Sequence, residues 1–231
     1  MSTKKLERFA GDSTLMDRFY RLMKFSSTRR TMLVHITNKC NLRCRGCWFY
    51  EDGFDKNIRE VTELEKWYVF AKSEANRGIN TAVLIGGEPT LYPERIAAVR
   101  QHIPCITVST NGEIPLSSID FPDATVALTM FGGGEMDDRI RAIRPNNRVF
   151  TSLFDKVLNN YRNDRRAGFV YGLASSAIEH IRPTVQKIGD AGLRVTFNFY
   201  RDYTKHTLET ADQERRLITR RFLSLKTFPI Q

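Results

Sequence analysis

The sequence predicts an α/β fold built on a parallel sheet, and two patterns support this prediction. Short runs of β-branched and other apolar residues recur along the chain, and most are separated by longer segments with apolar residues three and four positions apart. Alternation of strand and helix implies parallel strands joined by right-handed crossovers. The sheet is therefore expected to be either an open doubly wound sheet or a barrel.

The apolar runs predict six strands, at Met32–Ile36, Ala82–Ile85, Ile106–Val108, Thr125–Met130, Phe169–Leu173 and Val195–Phe199. The helical spacing predicts four intervening helices, at Leu64–Ala75, Arg95–Ile103, Leu153–Tyr161 and Ile178–Ile188. The third connection, Glu113–Pro122, is short and rich in turn formers. We expect it to hold no more than a helical turn.

Glycines mark several of these boundaries. Gly78, Gly168 and Gly192 precede the second, fifth and sixth strands, where each is expected to end a helix in a left-handed conformation. Ser176 and Glu179 have the spacing of a capping box at the start of the last of the four helices.

The 231 residues, 41% of them hydrophobic, are enough for one sizeable core. We expect an N-terminal helical extension over residues 1–30, a core over 31–202 and a C-terminal helix within 203–231. The extension contains an amphipathic segment, Ser13–Lys24, and the final helix is expected at about Ala211–Leu225.

Composition and charge bear on the protein's cellular location and on the kind of partner it binds. Charged residues make up 27% of the chain, and no apolar stretch approaches the roughly 20 residues that cross a bilayer. The first nine residues lack the apolar centre of a secretory signal, so the expected location is the cytoplasm. The net charge of +10 favours anionic partners. Because the basic residues are spread along the chain, we do not predict nucleic-acid binding.

Three of the four cysteines, Cys40, Cys44 and Cys47, fall within eight residues. This spacing suits a metal site better than a disulfide framework. The loop directly follows the first predicted strand, which places it at the carboxyl end of the sheet, where active sites gather. Three thiolates can hold three irons of a four-iron cluster and leave the fourth iron open to a cofactor.

Zinc is the alternative occupant of this loop, with His35 or Cys105 as its fourth ligand. Against zinc, the chain has no second cysteine pair at zinc spacing. Cys105 lies just before the third strand, at the end away from the site, and is expected to be a buried small apolar residue. His35 lies in the first strand, and faces either the core or the site.

The loop Cys40-x-x-x-Cys44-x-x-Cys47 after a first strand resembles that of the radical S-adenosylmethionine (SAM) superfamily. The resemblance extends from about Met32 to Tyr200. It implies a partial (β/α)6 barrel of parallel strands, a [4Fe–4S] cluster on the three cysteines and SAM as cofactor. In the same resemblance, the segment Gly86-Gly87-Glu88-Pro89 after the second strand meets the amino group of the cofactor's methionine part.

Further segments match the family in order. Ser109-Thr110-Asn111-Gly112 resembles the polar strand end near the cofactor's ribose and carboxylate, which implies cofactor contacts for Ser109 and Asn111. Thr129 falls where relatives place a polar cofactor contact. The stretch from Gly132 to Arg141, followed by Phe154–Leu158, resembles an Asp-Gly stretch, Asp-Arg-Ile-Arg and then a helix with Phe-Asp-Lys-Val. That pattern belongs to a branch whose members modify peptides, lipids, sugars and small metabolites.

The chain also departs from the family pattern. Gly46 replaces an aromatic residue before the third cysteine, and we expect Trp48 to take over its contact with adenine. Leu128–Gly132 replaces the usual Ser-Leu-Asp-Gly and removes an acidic side chain. The stretch from Gly168 to Ser175 only loosely resembles the family's adenine-contacting pattern, and Ser175 stands where relatives often carry an acidic residue.

The resemblance implies that reductive cleavage of SAM yields a 5′-deoxyadenosyl radical, which abstracts hydrogen from an unidentified peptide or small-molecule substrate. A low-potential donor of flavodoxin or ferredoxin type is the implied electron source. No catalytic residue is identified. Candidate substrate contacts near strands five and six are Tyr171, Asn198, Tyr200 and Arg201.

Two questions about the whole protein stay open at this point. No cysteine follows Cys105, so we do not expect an auxiliary-cluster domain in this chain. Either a C-terminal helix or a second subunit closes the barrel, or the chain is a truncated form of a longer enzyme. The competing functions are a zinc-stabilised interaction protein and a degenerate radical SAM homologue that serves as a partner.

Overall fold

A computed structural model describes residues 28–173 and 180–199, together with the isolated positions 17, 20, 21 and 216. Six parallel strands lie in sequence order across one sheet of this described part. They are β1 (Thr31–His35), β2 (Thr81–Ile85), β3 (Cys105–Thr110), β4 (Thr125–Met130), β5 (Ala167–Leu173) and β6 (Arg194–Phe199). Strands β1 and β6 are the two edges, so the sheet is an unclosed, partial barrel, as the resemblance implied.

The helices described between the strands are α1 (Trp48–Glu51), α2 (Phe54–Asn57), α3 (Leu64–Asn76), α4 (Pro93–Arg100), α5 (Gly134–Arg141), α6 (Leu153–Asn160) and α7 (Ile181–Asp190). Helix α4 begins two residues before its predicted start, at Pro93. Proline is suited to the first turn of a helix, because the N–H that it lacks has no hydrogen-bond partner within the helix at that position. Helices α1, α2 and α5 were not predicted. None of the helices in the described residues has the length and apolar character to cross a membrane.

Alternate residues along the central strands are buried and form the core beneath the helices. In β4 these are Val126, Leu128 and Met130, and helix α6 packs Phe154 and Val157 into the same core. This alternation is the expected consequence of a two-residue side-chain period against a helix-covered sheet.

The connection between β3 and β4 contains no helix, as expected. The guanidinium of Arg166, next to the start of β5, donates hydrogen bonds to the carbonyls of Leu116, Ser117 and Phe121 in this connection. Arg166 therefore supplies hydrogen bonds to carbonyl groups that, in a crossover helix, would accept them from backbone N–H groups of the same helix.

Two local predictions are wrong. Gly168 lies within β5 and does not cap a helix, because α6 ends at Asn160 and the left-handed turn residue is Asn163, with φ of 60°. Cys105 is exposed at the first position of β3 rather than buried. Gly78 and Gly192, by contrast, adopt the predicted left-handed conformation, with φ of 89° and 71°.

Several predictions fall outside the described residues. These are Ser176 and Glu179, the substrate candidates Tyr200 and Arg201, Ser175, the segment Ala211–Leu225 apart from one position, and most of Ser13–Lys24.

Candidate active site

A cavity of about 410 Å³ opens where the strands end, at the carboxyl edge of the sheet. Its volume falls in the range of small-molecule sites. The wall is built from the cysteine loop after β1, the glycine segment after β2, the polar end of β3 and parts of β4, β5 and β6. Among the predicted site residues, the wall contains Cys40, Cys44, Cys47, Trp48, Gly86, Gly87, Glu88, Ser109, Asn111 and Thr129.

The three thiols of the cysteine loop are largely withdrawn from water. Burial raises the pKa of Cys40 to about 12 and that of Cys44 to about 11, and it also raises the pKa of Cys47. The backbone N–H of Leu42 donates to Cys40 Sγ at 3.4 Å. These thiols are therefore protonated at neutral pH until a metal binds, and metal binding must release their protons.

The ligands present fit a three-cysteine cluster better than zinc. His35 Nε2 lies 2.7 Å from Asn38 Oδ1, and its ring stacks on Phe49 with centroids 5.0 Å apart. Cys105 is at the opposite end of its strand. Neither proposed fourth zinc ligand lines the cavity. Three cysteines are the number that leaves one iron of a four-iron cluster open.

Gly86 and Gly87 allow the backbone of the cysteine loop to lie directly against the end of β2. The N–H of Gly87 donates to the carbonyl of Thr37 at 2.7 Å. A Cβ on Gly86 would stand 2.6 Å from that carbonyl oxygen, and one on Gly87 would stand 2.2 Å from the carbonyl oxygen of Lys39. Only glycine tolerates these approaches, so the two segments that form the cavity are held at a fixed separation.

Glu88 is 1% exposed, and its carboxylate accepts four hydrogen bonds. The backbone N–H and the hydroxyl of Thr90 and the hydroxyl of Thr110 donate to Oε1, and the N–H of Asn111 donates to Oε2. Burial raises the pKa of Glu88 in spite of these donors. Pro89, which was also predicted to contact the cofactor, is buried beside Glu88 and is not part of the cavity wall.

A chain of amide groups joins the end of β3 to the cysteine loop. Asn111 Nδ2 donates to Asn41 Oδ1 at 2.7 Å, and Asn41 Nδ2 donates to Glu113 Oε2 at 2.8 Å. Glu113 in turn pairs with Arg144 and Lys156. Asn41, the residue that follows Cys40, is thus fixed by side chains from the segments that follow β3 and α5.

Arg141, on the cavity wall, was missed as a site residue although its Asp-Arg-Ile-Arg segment had been recognised. Its guanidinium is 1% exposed, pairs with Asp137 Oδ2 at 3.0 Å and donates to the carbonyl of Asn111 at 2.7 Å. Asp137 also accepts the N–H of Phe131 at 2.7 Å. The neighbouring Asp138 accepts the N–H of Leu153 and so caps α6.

The aromatic and substrate predictions have mixed outcomes. Trp48 is 39% exposed on the cavity wall, edge-on to Phe49 and Phe54. Asn198 also reaches the wall. Tyr171 was wrong as a substrate contact, because it is fully buried against Phe197.

Sequence reasoning gave no role to several other wall residues, namely Arg45, Tyr50, Phe131, Val170 and Gly172. The general rule that sites gather at the carboxyl ends of parallel strands would have found Phe131, which directly follows β4. Arg45 lies inside the cysteine loop, and Val170 and Gly172 lie in the stretch from Gly168 to Ser175 that loosely resembles the family's adenine-contacting pattern, so these segments were recognised although the residues were not.

The family model of the radical SAM superfamily matches residues 34–200. A probable GTP 3′,8-cyclase of Methanocaldococcus jannaschii is 31% identical over 93 residues, which are 38% of this chain and 30% of that protein. A GTP 3′,8-cyclase of Moorella thermoacetica is 34% identical over 84 residues, 34% of this chain and 26% of that protein. The matched part thus spans about a third or less of these curated relatives.

Solved structures share the fold. The structure titled "Native anSMEcpe with bound AdoMet" superimposes with a TM-score of 0.64 at 15% identity, covering 84% of this chain and 60% of that one. HydG, described as a maturase of the [FeFe]-hydrogenase, gives a TM-score of 0.53 at 10% identity, covering 91% of this chain and 54% of its own. The family match spans the cysteine loop and every wall segment from β1 to β6, and on this evidence the chain belongs to the radical SAM superfamily.

Proposed function

We propose that this chain cleaves SAM reductively at a [4Fe–4S] cluster held by Cys40, Cys44 and Cys47, and uses the product radical to take hydrogen from a peptide or small molecule. Proteins of the superfamily bind this cluster and SAM. When bound, the cluster supplies the electron that breaks a carbon–sulfur bond of SAM, giving methionine and a 5′-deoxyadenosyl radical that accepts a hydrogen atom from a substrate C–H bond.

The observation that carries the proposal is the shared wall of one cavity. The three thiols and the Gly86-Gly87-Glu88 strand end face the same space, and the glycines hold the cysteine loop against β2. A cofactor in this cavity would contact both segments at once.

The other residues of the cavity wall are assigned to holding SAM in a fixed orientation. The carboxylate of Glu88 holds the ends of β2 and β3 together, so we assign it to positioning the backbone that meets the methionine part of SAM. Ser109, Asn111 and Thr129 provide polar groups for the ribose and carboxylate, and Trp48 provides a flat apolar surface for adenine. Phe131 and Val170 add apolar side chains to the wall, which would help to exclude solutes that quench a radical.

Substrate and partners are less closely constrained. The likeness to GTP 3′,8-cyclases covers 38% or less of this chain, so GTP is one candidate for assay. An anionic substrate is supported by Arg45, whose exposed side chain belongs to the cavity wall. The electron source is a low-potential donor of flavodoxin or ferredoxin type. The candidates for closing the sheet between β1 and β6 are the C-terminal helix of this chain, a second subunit or a further part of a longer enzyme.

The test is anaerobic reconstitution of the cluster, followed by dithionite reduction with SAM and assay of 5′-deoxyadenosine. Wild type is compared with Cys44→Ala and with Cys105→Ala, which removes an exposed cysteine at the other end of the sheet. We expect iron, sulfide and 5′-deoxyadenosine in wild type and Cys105→Ala only. Zinc in place of a cluster would contradict the proposal, and a cluster that binds SAM without cleaving it would favour the degenerate homologue.

A further inference from the structure

A second depression lies on the outer side of the cysteine loop. Its walls include Cys44 and Cys47, which also line the main cavity, together with Arg43, Tyr50, Asn147 and Val149. It includes neither Gly86 nor Glu88 nor the ends of β3 to β6. Two residues of the cysteine loop that carry thiols, Cys44 and Cys47, therefore lie between the main cavity and a groove on the protein surface.

The far wall of this outer groove is a short hairpin that follows α5. Ile143 and Val149 form an antiparallel bridge, and the N–H of Arg144 donates to the carbonyl of Arg148 at 2.9 Å. The cysteine loop is attached to this region, because the N–H of Arg43 donates to the carbonyl of Ile143 at 2.7 Å. The N–H of Arg45 makes a similar bond to the carbonyl of Ile140, at 2.8 Å. The rim of the groove and the thiols therefore form one connected unit.

The groove carries more positive than negative charge. Arg43 stacks its guanidinium 3.6 Å above the ring of Tyr50, and Arg45 is exposed, whereas Glu51 is the acidic group of the lining. Arg148 is exposed in the hairpin, between groove residues Asn147 and Val149. Val149 is 60% exposed and adds an apolar contact point. A basic rim around an exposed apolar residue matches the surface of an acidic protein partner.

We propose that this groove is the docking site of an acidic electron-donor protein of flavodoxin or ferredoxin type. The inference rests on the proposed function and identifies its electron entry point. The donor loses one electron, and the cluster on Cys40, Cys44 and Cys47 gains it through the side of Cys44 and Cys47. Because the main cavity is not part of the route, the donor docks while SAM and substrate occupy their site.

The test uses the full chain with its cluster, an acidic flavodoxin as donor, and the variants Arg148→Glu and Val149→Asp. Both positions lie outside the cysteine loop and the wall of the main cavity. The matched control is Arg162→Glu, the same charge change at an exposed position after α6, at the amino edge of the sheet. Flavodoxin binding is measured by calorimetry at low and high salt, and cluster reduction by reduced flavodoxin is followed by absorbance.

We expect Arg148→Glu to weaken flavodoxin binding by about tenfold at low salt, with a smaller difference at high salt, and to slow cluster reduction in parallel. Val149→Asp should act in the same direction. Formation of 5′-deoxyadenosine with dithionite, a small reductant that needs no docking site, should stay within about twofold of wild type. Arg162→Glu should match wild type in every assay.

Equal binding by wild type and Arg148→Glu would overturn the proposal, as would an equal loss in Arg162→Glu, which would indicate attraction to the overall charge alone. Failure of the proposed function would give a different result from failure of the docking proposal. In that case wild type with dithionite gives no 5′-deoxyadenosine, while the binding measurement still decides whether the groove is a docking site.

Discussion

The hydroxyl of Thr110 donates a hydrogen bond to Oε1 of Glu88 across 2.6 Å, at a point where both residues are almost fully buried. This contact joins the end of β3 to the end of β2. Together with the bond from the N–H of Asn111, it makes the carboxylate of Glu88 a junction beneath the cavity wall rather than a free group inside the cavity.

Glu88→Gln should destabilise the fold, because its amide nitrogen would face donors where an oxygen now accepts. We expect a loss of about 1–3 kcal/mol in the free energy of unfolding, measured by urea denaturation. Glu94→Gln, an exposed change on α4, is the control and should leave stability unchanged. A Glu88→Gln protein as stable as wild type would mean that the junction does not contribute.

Gly87→Ala should separate the cysteine loop from β2, since the added methyl group would stand 2.2 Å from the carbonyl oxygen of Lys39. A cost of about 1–3 kcal/mol is expected for such overpacking, with a lower iron content after reconstitution. Gly189→Ala is the matched control, because the same methyl group on helix α7 meets no atom within 4 Å. Thermal unfolding and iron analysis measure the two effects, and full iron loading in Gly87→Ala would contradict the assigned role.

Asp137→Asn should be strongly destabilising, because it leaves the guanidinium of Arg141 charged and buried. Breaking one partner of a buried pair costs about 3–5 kcal/mol. The double variant Asp137→Asn with Arg141→Met should recover part of that loss in urea denaturation. Glu135→Gln breaks an exposed pair with Arg139 on the same helix and should have little effect. A double variant no more stable than Asp137→Asn alone would argue against an uncompensated charge as the cause.

The free energy of unfolding should fall in acid, partly because Glu113 and Glu60 become protonated. Burial acts to raise the pKa of each, but the ion pairs of Glu113 with Arg144 and Lys156, and of Glu60 with Arg95, outweigh it and lower both. A lowered pKa in the folded state gives stability that is complete above the unfolded value of about 4.3. That stability is lost as the pH falls through the folded pKa.

Unfolding free energies measured from neutral pH down to about pH 3 test this expectation. Glu113→Gln should show a shallower decline below the unfolded pKa than wild type, while Glu94→Gln should keep the wild-type slope. Parallel slopes in Glu113→Gln and wild type would show that Glu113 does not couple to folding.

The alternation of apolar runs was enough to predict the parallel sheet, because buried strands and amphipathic helices must follow the periods that their geometry imposes. The cysteine spacing predicted a metal site after the first strand, and the three cysteines do line one cavity there. The helix ends were predicted less well: Gly168 was taken as a helix cap, but a β5 that begins at Ala167 includes it. A glycine's freedom permits either conformation, and the contacts of neighbouring elements decide between them.

By itself, the sequence determined which local segments line the cavity: the cysteine loop, the Gly-Gly-Glu turn and the polar end of β3. Only the tertiary structure decided what each side chain does, because the partners come from distant positions. Glu88 is held by Thr110 and Asn111, Arg141 is tied to the carbonyl of Asn111, and the outer groove is completed by a hairpin about 100 residues after the thiols. Such contacts depend on how the strands stack side by side, which no local spacing specifies.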